Sequence, residues 1–394
     1  MSWPKVRLGE LGKMIRGSGI RRNETVPEGL PCIRYGEIYT SYNVVLDRPR
    51  SFVPPSLYEK CPHIKKGDLV LALTGENKEE IAKTLAYLGD DEVAAGGDTA
   101  VWTGHGCDPL YLAYMMYSPR MIKAKADASN GHIVVHASVK KLQQIEVSLP
   151  PLSEQRKIAA SVDRAMKRVD AIERQFEKLR ETAAACFNAE LDALFRQELF
   201  ADKWPMHILK DHVDVLAGYA FKGDSFSNAG IKICGGLIIM PDRIKWEECK
   251  YWRDEKGFEA FLLAENDIVV ALDRPWISTG FKVGKIEGKD LPCLLIQRTA
   301  RLRARDIDPD FLLLLMRDRS FREHCSTSGT TVPHISHKDI ETFAIPVPPM
   351  ARQKVVVTMI ADAKARCDGI TALAARGLAN CVRMRKAILA EAFK

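Results

Sequence analysis

The sequence predicts an α+β chain: two tandem, pseudo-twofold-related α/β domains separated by two long antiparallel helices that form a coiled coil. Three observations carry this reading. Pro150-Pro151-Leu152-Ser153-Glu154-Gln155-Arg156 recurs half a chain later as Pro348-Pro349-Met350-Ala351-Arg352-Gln353-Lys354, and a repeat of that period marks a duplicated structural unit. Each copy opens a heptad-spaced pattern. Short apolar runs bounded by turn residues recur in the same order in both halves.

The repeat extends along the whole chain. Trp3-Pro4 matches Trp204-Pro205. Gly67-Asp68 followed by Leu69-Val70-Leu71-Ala72-Leu73 matches Asn266-Asp267 followed by Ile268-Val269-Val270-Ala271-Leu272. Each reads as a turn and then a buried strand. Asp108-Pro109 and Asp308-Pro309 each precede an apolar helical pattern, with aspartate placed to cap it and proline at its first turn. His136-Ala137-Ser138-Val139-Lys140 matches His334-Ile335-Ser336-His337-Lys338. In chain order the divisions are residues 1–152, a helix over 153–200, residues 201–350 and a helix over 351–394.

In the first helix the stripe runs Ile158, Val162, Ala165, Val169, Ile172, Phe176 and Leu179. In the second it runs Val356, Ile360, Ala363, Cys367, Ile370, Ala374 and Gly377. A stripe this narrow suits a helix partner better than a broad globular core. Gly377 costs helix stability by itself, so it suggests close approach of a partner helix. Ser153 stands where the first helix should be capped. About 44 helical residues span roughly 65 Å, which would make the pair a ruler between the two domains.

Composition narrows the class. The chain has 394 residues, 46% of them apolar, enough for two cores. No apolar run is long enough to span a bilayer, and the N-terminus lacks a signal-peptide pattern, so the expected compartment is cytoplasmic. Ten cysteines without a C-x-x-C pair read as reduced thiols. The net charge is +7, yet most of the excess lies after residue 350, where nine basic residues face three acidic ones. Any nucleic-acid binding by the globular halves therefore rests on local patches.

At this point the chain resembles the specificity subunit of Type I restriction–modification systems. The resemblance rests on the twofold repeat, on the Pro-Pro-hydrophobic-x-x-Gln start of each helix, and on the ending Ala387-Ile388-Leu389-Ala390-Glu391-Ala392-Phe393, partly echoed by Leu191-Asp192-Ala193-Leu194-Phe195. It implies two target-recognition domains, each reading half of a split double-stranded DNA site. It implies helices that set the spacer and dock two methyltransferase subunits, with restriction translocase–nuclease subunits joining the larger assembly. It also implies a non-catalytic chain without a cofactor. Arg352 departs from the acidic residue at Glu154, and the second helix is the more basic, so the two helices should present unequal surfaces.

The residues themselves argue against catalysis. None of the three Pro-Pro pairs lies in an Asn/Asp-Pro-Pro-aromatic methyltransferase loop, and there is no Walker loop. One alternative has an enzymatic pattern: Asp68, Glu76 and Lys78 could serve a stand-alone Mg²⁺-dependent nuclease. The second half lacks that Glu-x-Lys, which favours a turn aspartate and a charged loop. His132/His136 and His334/His337 lack the companions of a metal site, so no metal is expected.

Base reading needs side-chain donors in loops, while lysines and neutral polar groups hold phosphates. The candidates in the first half are Arg21, Arg22, Arg34, Tyr35, Thr74, Asn77, Lys78 and His132. Those in the second half are Lys222, Arg274, Trp276, Ser278, Thr279, Lys282 and Thr330. Trp276 has an equal claim to be a core anchor.

Overall fold

The computed structural model describes residues 3–131, 134–194, 204–221, 226–241, 243–253, 256–325 and 334–394. His132, Lys222, Thr330 and Phe195 lie outside them. The chain forms two compact units, residues 1–179 with 373–394, and residues 180–372. Each unit holds a globular domain and a segment of both long helices. Among the described residues no helix is long and apolar enough to cross a membrane.

The first unit is built on a five-stranded sheet in the order Lys13–Arg16, Thr99–Thr103, Leu69–Ala72, Thr84–Tyr87, Val45–Leu46. The Leu69–Ala72 strand is buried throughout, and alternation explains why it reads as a continuous apolar run. Leu69 and Leu71 enter a core with Trp102 and Leu112. Val70 and Ala72 enter a second core with Ile33 and Leu85. A strand covered on both faces has no polar side to show. A second sheet runs Ser51–Val53, Leu30–Ile33, Val93–Ala95, His63–Ile64, with Leu30–Ile33 parallel to Val93–Ala95.

The second unit repeats this plan. Its four-stranded sheet runs Val213–Ala217, Thr299–Ala304, Ile268–Ala271, Val283–Lys285. Ile268 and Val270 face a core with Phe311 and Phe321, and Val269 faces one with Cys234 and Leu295. Ile231–Cys234 is parallel to Cys293–Leu295, the same arrangement as in the first unit. The turns entering the two central strands are made alike. Gly67 and Asn266 have φ of 92° and 71°. Asp68 accepts from the Lys65 N–H at 2.8 Å, and Asp267 accepts from the Ala264 N–H at 2.7 Å.

Each globular domain is closed by its ends. Lys5–Arg7 pairs antiparallel with Glu146–Ser148, and Met206–Ile208 pairs with Ala344–Pro346. The long helices follow directly, at Leu152–Leu194 and Met350–Ala392, each of 43 residues. The expected cap at Ser153 is corrected here. The Pro151 carbonyl accepts from the N–H groups of Glu154 and Gln155, so Ser153 lies inside the first turn. The Pro349 carbonyl does the same for Arg352 and Gln353.

Two buried glutamines explain the repeated Pro-Pro-x-x-x-Gln pattern. Gln155 is 3% exposed and Gln353 1%. The Gln155 oxygen accepts from the Asp108 N–H at 2.9 Å, while its amide donates to the Pro150 carbonyl at 2.9 Å. Gln353 joins Asp308 to Pro348 in the same way, both at 2.8 Å. Asp108 and Asp308 in turn cap the helices Pro109–Met115 and Pro309–Arg317. A buried amide with both ends bonded is strongly held, because leaving either end unpaired is costly. Each long helix is therefore locked to its own domain.

Helix packing differs in part from the heptad expectation. Ala159 belongs to the first domain's core, and Val356 and Ile360 belong to the second's. The opening turns thus lie on the globular domains. Farther along, the helix segments pair with each other within each unit. In the first unit Val162 packs with Leu389, and Arg385 reaches Asp170 at 2.6 Å and Glu173 at 3.1 Å. The arginine holds the Glu173 carboxyl below its ordinary range. In the second unit Arg366 meets Glu190 at 2.7 Å, and Cys367 meets the Ala183 carbonyl at 3.5 Å. Partner numbers fall on one helix as they rise on the other, so the segments run antiparallel. Val169 is buried, Ile158, Ile172 and Phe176 are half-buried, and Ala374, Gly377 and Cys381 are buried. Ile370 is corrected: it stands 37% exposed, off the buried stripe. Ala374, Gly377 and Cys381 keep the same phase beyond it, so the stripe is interrupted at Ile370 and then resumes.

All ten cysteines are free, and six are buried. Lys125 is 2% exposed, and its ammonium donates to the Ala82 carbonyl at 3.2 Å. Burial pulls its pKa down to about 7.

Candidate nucleic-acid interface

The loop after each buried central strand is tied back by a histidine. In the first unit Thr74 Oγ1 and His136 Nδ1 are 3.0 Å apart, and the strands Thr74–Gly75 and Val135–Ala137 pair. In the second unit Asp273 takes the place of Thr74, with His334 Nδ1 at 2.7 Å from its carboxylate. The matched histidines thus fix the exit of the strand, and the residues that follow are presented from a defined base.

In the first unit Lys78 and Glu76 are exposed on this loop. The Asn77 side-chain Oδ1 accepts from the Glu80 N–H at 2.8 Å, which shapes the turn. Thr74 is only 7% exposed, occupied by His136. Arg21 and Arg22 are exposed at a one-turn 3₁₀ helix. Arg34 is held by Glu37 at 3.1 Å at the start of a short helix, and Tyr35 beside it is 40% exposed. Among the described first-unit candidates Arg21, Arg22, Tyr35 and Lys78 are exposed, Arg34 and Asn77 are half-buried and Thr74 is buried.

In the second unit Trp276–Ile277 and Gly280–Phe281 form a hairpin with Ser278 and Thr279 exposed at its tip. The Trp276 ring lies 5.2 Å from Phe281 and 6.4 Å from Phe321, with the Arg322 guanidinium over it at 5.7 Å. It anchors the hairpin to the core. Arg274 is exposed, with φ of 45°. Arg274 and Lys282 line a cavity of about 520 Å³. Lys282 is 6% exposed, and its pKa is lowered by burial and then by the Arg274 charge.

The sequence reading missed Gln297 and Arg298, which line the same cavity. Arg298 has φ of 64° and meets Asp273 at 3.2 Å. Asp98, at the equivalent turn of the first unit, has φ of 57°. The signal was the matched position just before Thr99 and Thr299, where both copies turn sharply into a strand.

The nuclease alternative finds no support. Asp68 precedes the Leu69–Ala72 strand and Glu76 follows it, so the two carboxylates lie at opposite ends of an extended segment that rises about 3.3 Å per residue. Asp68 is committed to its turn, and Asp267 pairs with Arg303 through two bonds of 2.7 Å. Among the described residues no group of histidine, cysteine or carboxylate side chains is placed to hold a metal ion.

Comparison with known proteins agrees with this arrangement. A family model, the Type I restriction modification DNA specificity domain, matches residues 2–181 and again 202–372. The EcoAI specificity subunit of Escherichia coli is 31% identical over 170 residues, 42% of this chain and 29% of that one. The MjaVIII specificity subunit of Methanocaldococcus jannaschii is 26% identical over 377 residues, 90% of this chain and 84% of that one. A solved chain from a study of assembly and conformational transition in the type I R-M system shares the fold. It has a TM-score of 0.74 at 17% identity, over 100% of this chain and 98% of that one. Matched once in each half by the same family model, this chain belongs to the Type I restriction–modification DNA specificity family.

Proposed function

We propose that each globular domain, at residues 1–152 and 201–350, reads one half of a split double-stranded DNA target, and that the long helices set the spacer and dock methyltransferase subunits. Two such subunits per chain match the twofold repeat, and restriction subunits join the larger assembly. The chain itself recognises and positions, and the chemistry belongs to its partners.

The observation that carries this reading is the joint repeated at Gln155 and Gln353. Two equivalent readers help to recognise a split site only if each is held at a fixed place on its arm. The buried amides do that by bonding the domain's own Asp-Pro helix to the Pro-Pro start of the long helix. DNA contacts are assigned to Arg21, Arg22, Tyr35 and Lys78 in the first domain, and to Arg274, Ser278, Thr279 and Lys282 in the second, with the arginines on base edges and the lysines and hydroxyls on phosphates.

Methylation sequencing of cells expressing the chain with its methyltransferase tests the proposal. The expected result is a split motif with a fixed spacer. Replacing the second domain with that of a relative should change one half of the motif only. An undivided motif, or a purified chain that cuts DNA with Mg²⁺ and loses that activity on Glu76→Ala, would refute it.

A further inference from the structure

The second unit carries an apolar side chain that no core explains. Strand Ile231–Cys234 ends in the turn Gly235-Gly236-Leu237-Ile238, closed by the Ile238 N–H donating to the Gly235 carbonyl at 3.1 Å. The residues after Leu237 are core, with Ile238 4% and Ile239 0% exposed. Leu237 itself stands 86% exposed, while other large apolar side chains among the described residues reach at most 53%.

The turn is fixed from below. A Cβ on Gly235 would meet Ile296 at 3.1 Å, and one on Gly236 would meet Ala271 at 3.4 Å. The Lys245 N–H donates to the Ile238 carbonyl at 2.8 Å. Leu237 is therefore held into solvent on a firm base. A side chain exposed this far on an anchored turn is placed for contact with something outside the domain.

Charge indicates what it meets. Leu237 borders the cavity that holds Arg274, Lys282 and Arg298. The carboxylates there are neutralised: Asp273 by Arg298 at 3.2 Å, and Glu248 by Lys245 at 3.0 Å. Arg274 and Lys282 make no ion pair among the described residues. An apolar projection beside unpaired cations complements a polyanion whose interior is a stack of apolar bases.

The repeat points the same way. In the first unit the equivalent strand, Leu30–Ile33, has the same parallel neighbour arrangement and is followed at once by Arg34 and the exposed Tyr35. Both copies present a large side chain with an apolar body just past this strand, Tyr35 two residues after Ile33 and Leu237 three after Cys234.

We propose that Leu237 is a wedge that enters a base step of the half-site read by the second domain, with Arg274 on a neighbouring base edge and Lys282 on the flanking phosphate. The inference rests on the DNA-reading role proposed above.

The test uses the chain in complex with its methyltransferase subunits. Duplexes of the mapped target carry 2-aminopurine, whose fluorescence rises on unstacking, at successive positions of the half-site assigned to the second domain by the exchange experiment. Fluorescence should rise at one step on binding. Leu237→Ala should abolish the rise, and Leu237→Met should keep it. Leu237→Ala should also relax methylation preference at that step by roughly tenfold. Because Leu237 is exposed, the alanine variant should melt with the wild type. A wild-type complex that binds its target without a rise at any position overturns the wedge and leaves the DNA-reading role intact. Failure to bind any split target overturns the underlying reading. An alanine variant that loses its methyltransferase subunits but keeps the base-step signal identifies a protein contact, and overturns the wedge.

Discussion

The ring of Phe176 rests on the backbone of Gly377, so close that a Cβ there would lie 2.4 Å from a ring carbon. An alanine normally gains about 1 kcal/mol over glycine inside a helix. Here the contact reverses the sign. Gly377→Ala should destabilise the protein by about 1–3 kcal/mol, the usual cost of overpacking. Phe176→Leu in the same chain should recover most of it. Thermal unfolding of the four variants in the cycle provides the measurement, and a stabilised single alanine variant would show that the helices do not approach this closely.

Gln155→Leu removes both bonds of a buried joint and leaves the Asp108 N–H and the Pro150 carbonyl unpaired. The expected loss is about 2–6 kcal/mol, from two stranded polar groups at about 1–3 kcal/mol each. Gln353→Leu should cost a similar amount. Denaturant unfolding reads this directly, and a change below about 0.5 kcal/mol in either variant would mean that water replaces the clamp.

Lys125 introduces a pH dependence whose sign follows from its pKa. Its ordinary value is 10.5, and burial lowers it to about 7 in the folded chain. Between these values the unfolded chain holds a proton that the folded chain does not, so this residue makes stability rise with pH across that window. Below about pH 7 both states are protonated, and the full burial penalty applies. Lys125→Met should therefore stabilise the protein most at pH 7 and below. Its advantage should shrink by about 1.4 kcal/mol per pH unit above that. An advantage that stays constant from pH 7 to 10 would show that Lys125 titrates normally.

Arg274 stands on an anchored strand exit, which suits it to read a base. Arg274→Ala should relax preference in one half of the target only, by about 1–3 kcal/mol for a bidentate guanine contact. Selection from randomised half-sites separates the possibilities. A uniform loss over all sequences would make Arg274 a phosphate contact.

The ruler is tested by length. Removing seven residues from one long helix shortens it by about 10 Å, close to the rise of three base pairs at about 3.4 Å each. Methylation sequencing should show a shorter spacer or loss of methylation. An unchanged spacer with full methylation would separate spacer length from helix length.

Much of this architecture was legible because duplication makes a weak signal visible twice. Asp68 and Asp267, or Pro150 and Pro348, say little singly, but their matched order marks the same turn, strand and joint in both halves. The site was less legible. Loop residues are not constrained by a repeating period, so Lys78 in solvent and Arg34 bound to Glu37 look alike in sequence. Trp276, read as either a core anchor or a reader, was decided by Phe281 and Phe321, which are distant along the chain or hidden by a turn.

By itself the sequence determined the twofold plan, the buried central strands and the two long helices, because local periodicity and repetition specify those features without reference to distant residues. Only the tertiary structure decided that Gln155 bonds to Asp108, that Gly377 receives Phe176, that Ile370 leaves the stripe and that Leu237 stands in solvent. These depend on which surfaces meet after folding. Packing between residues far apart in sequence sets that outcome, and no local pattern records it.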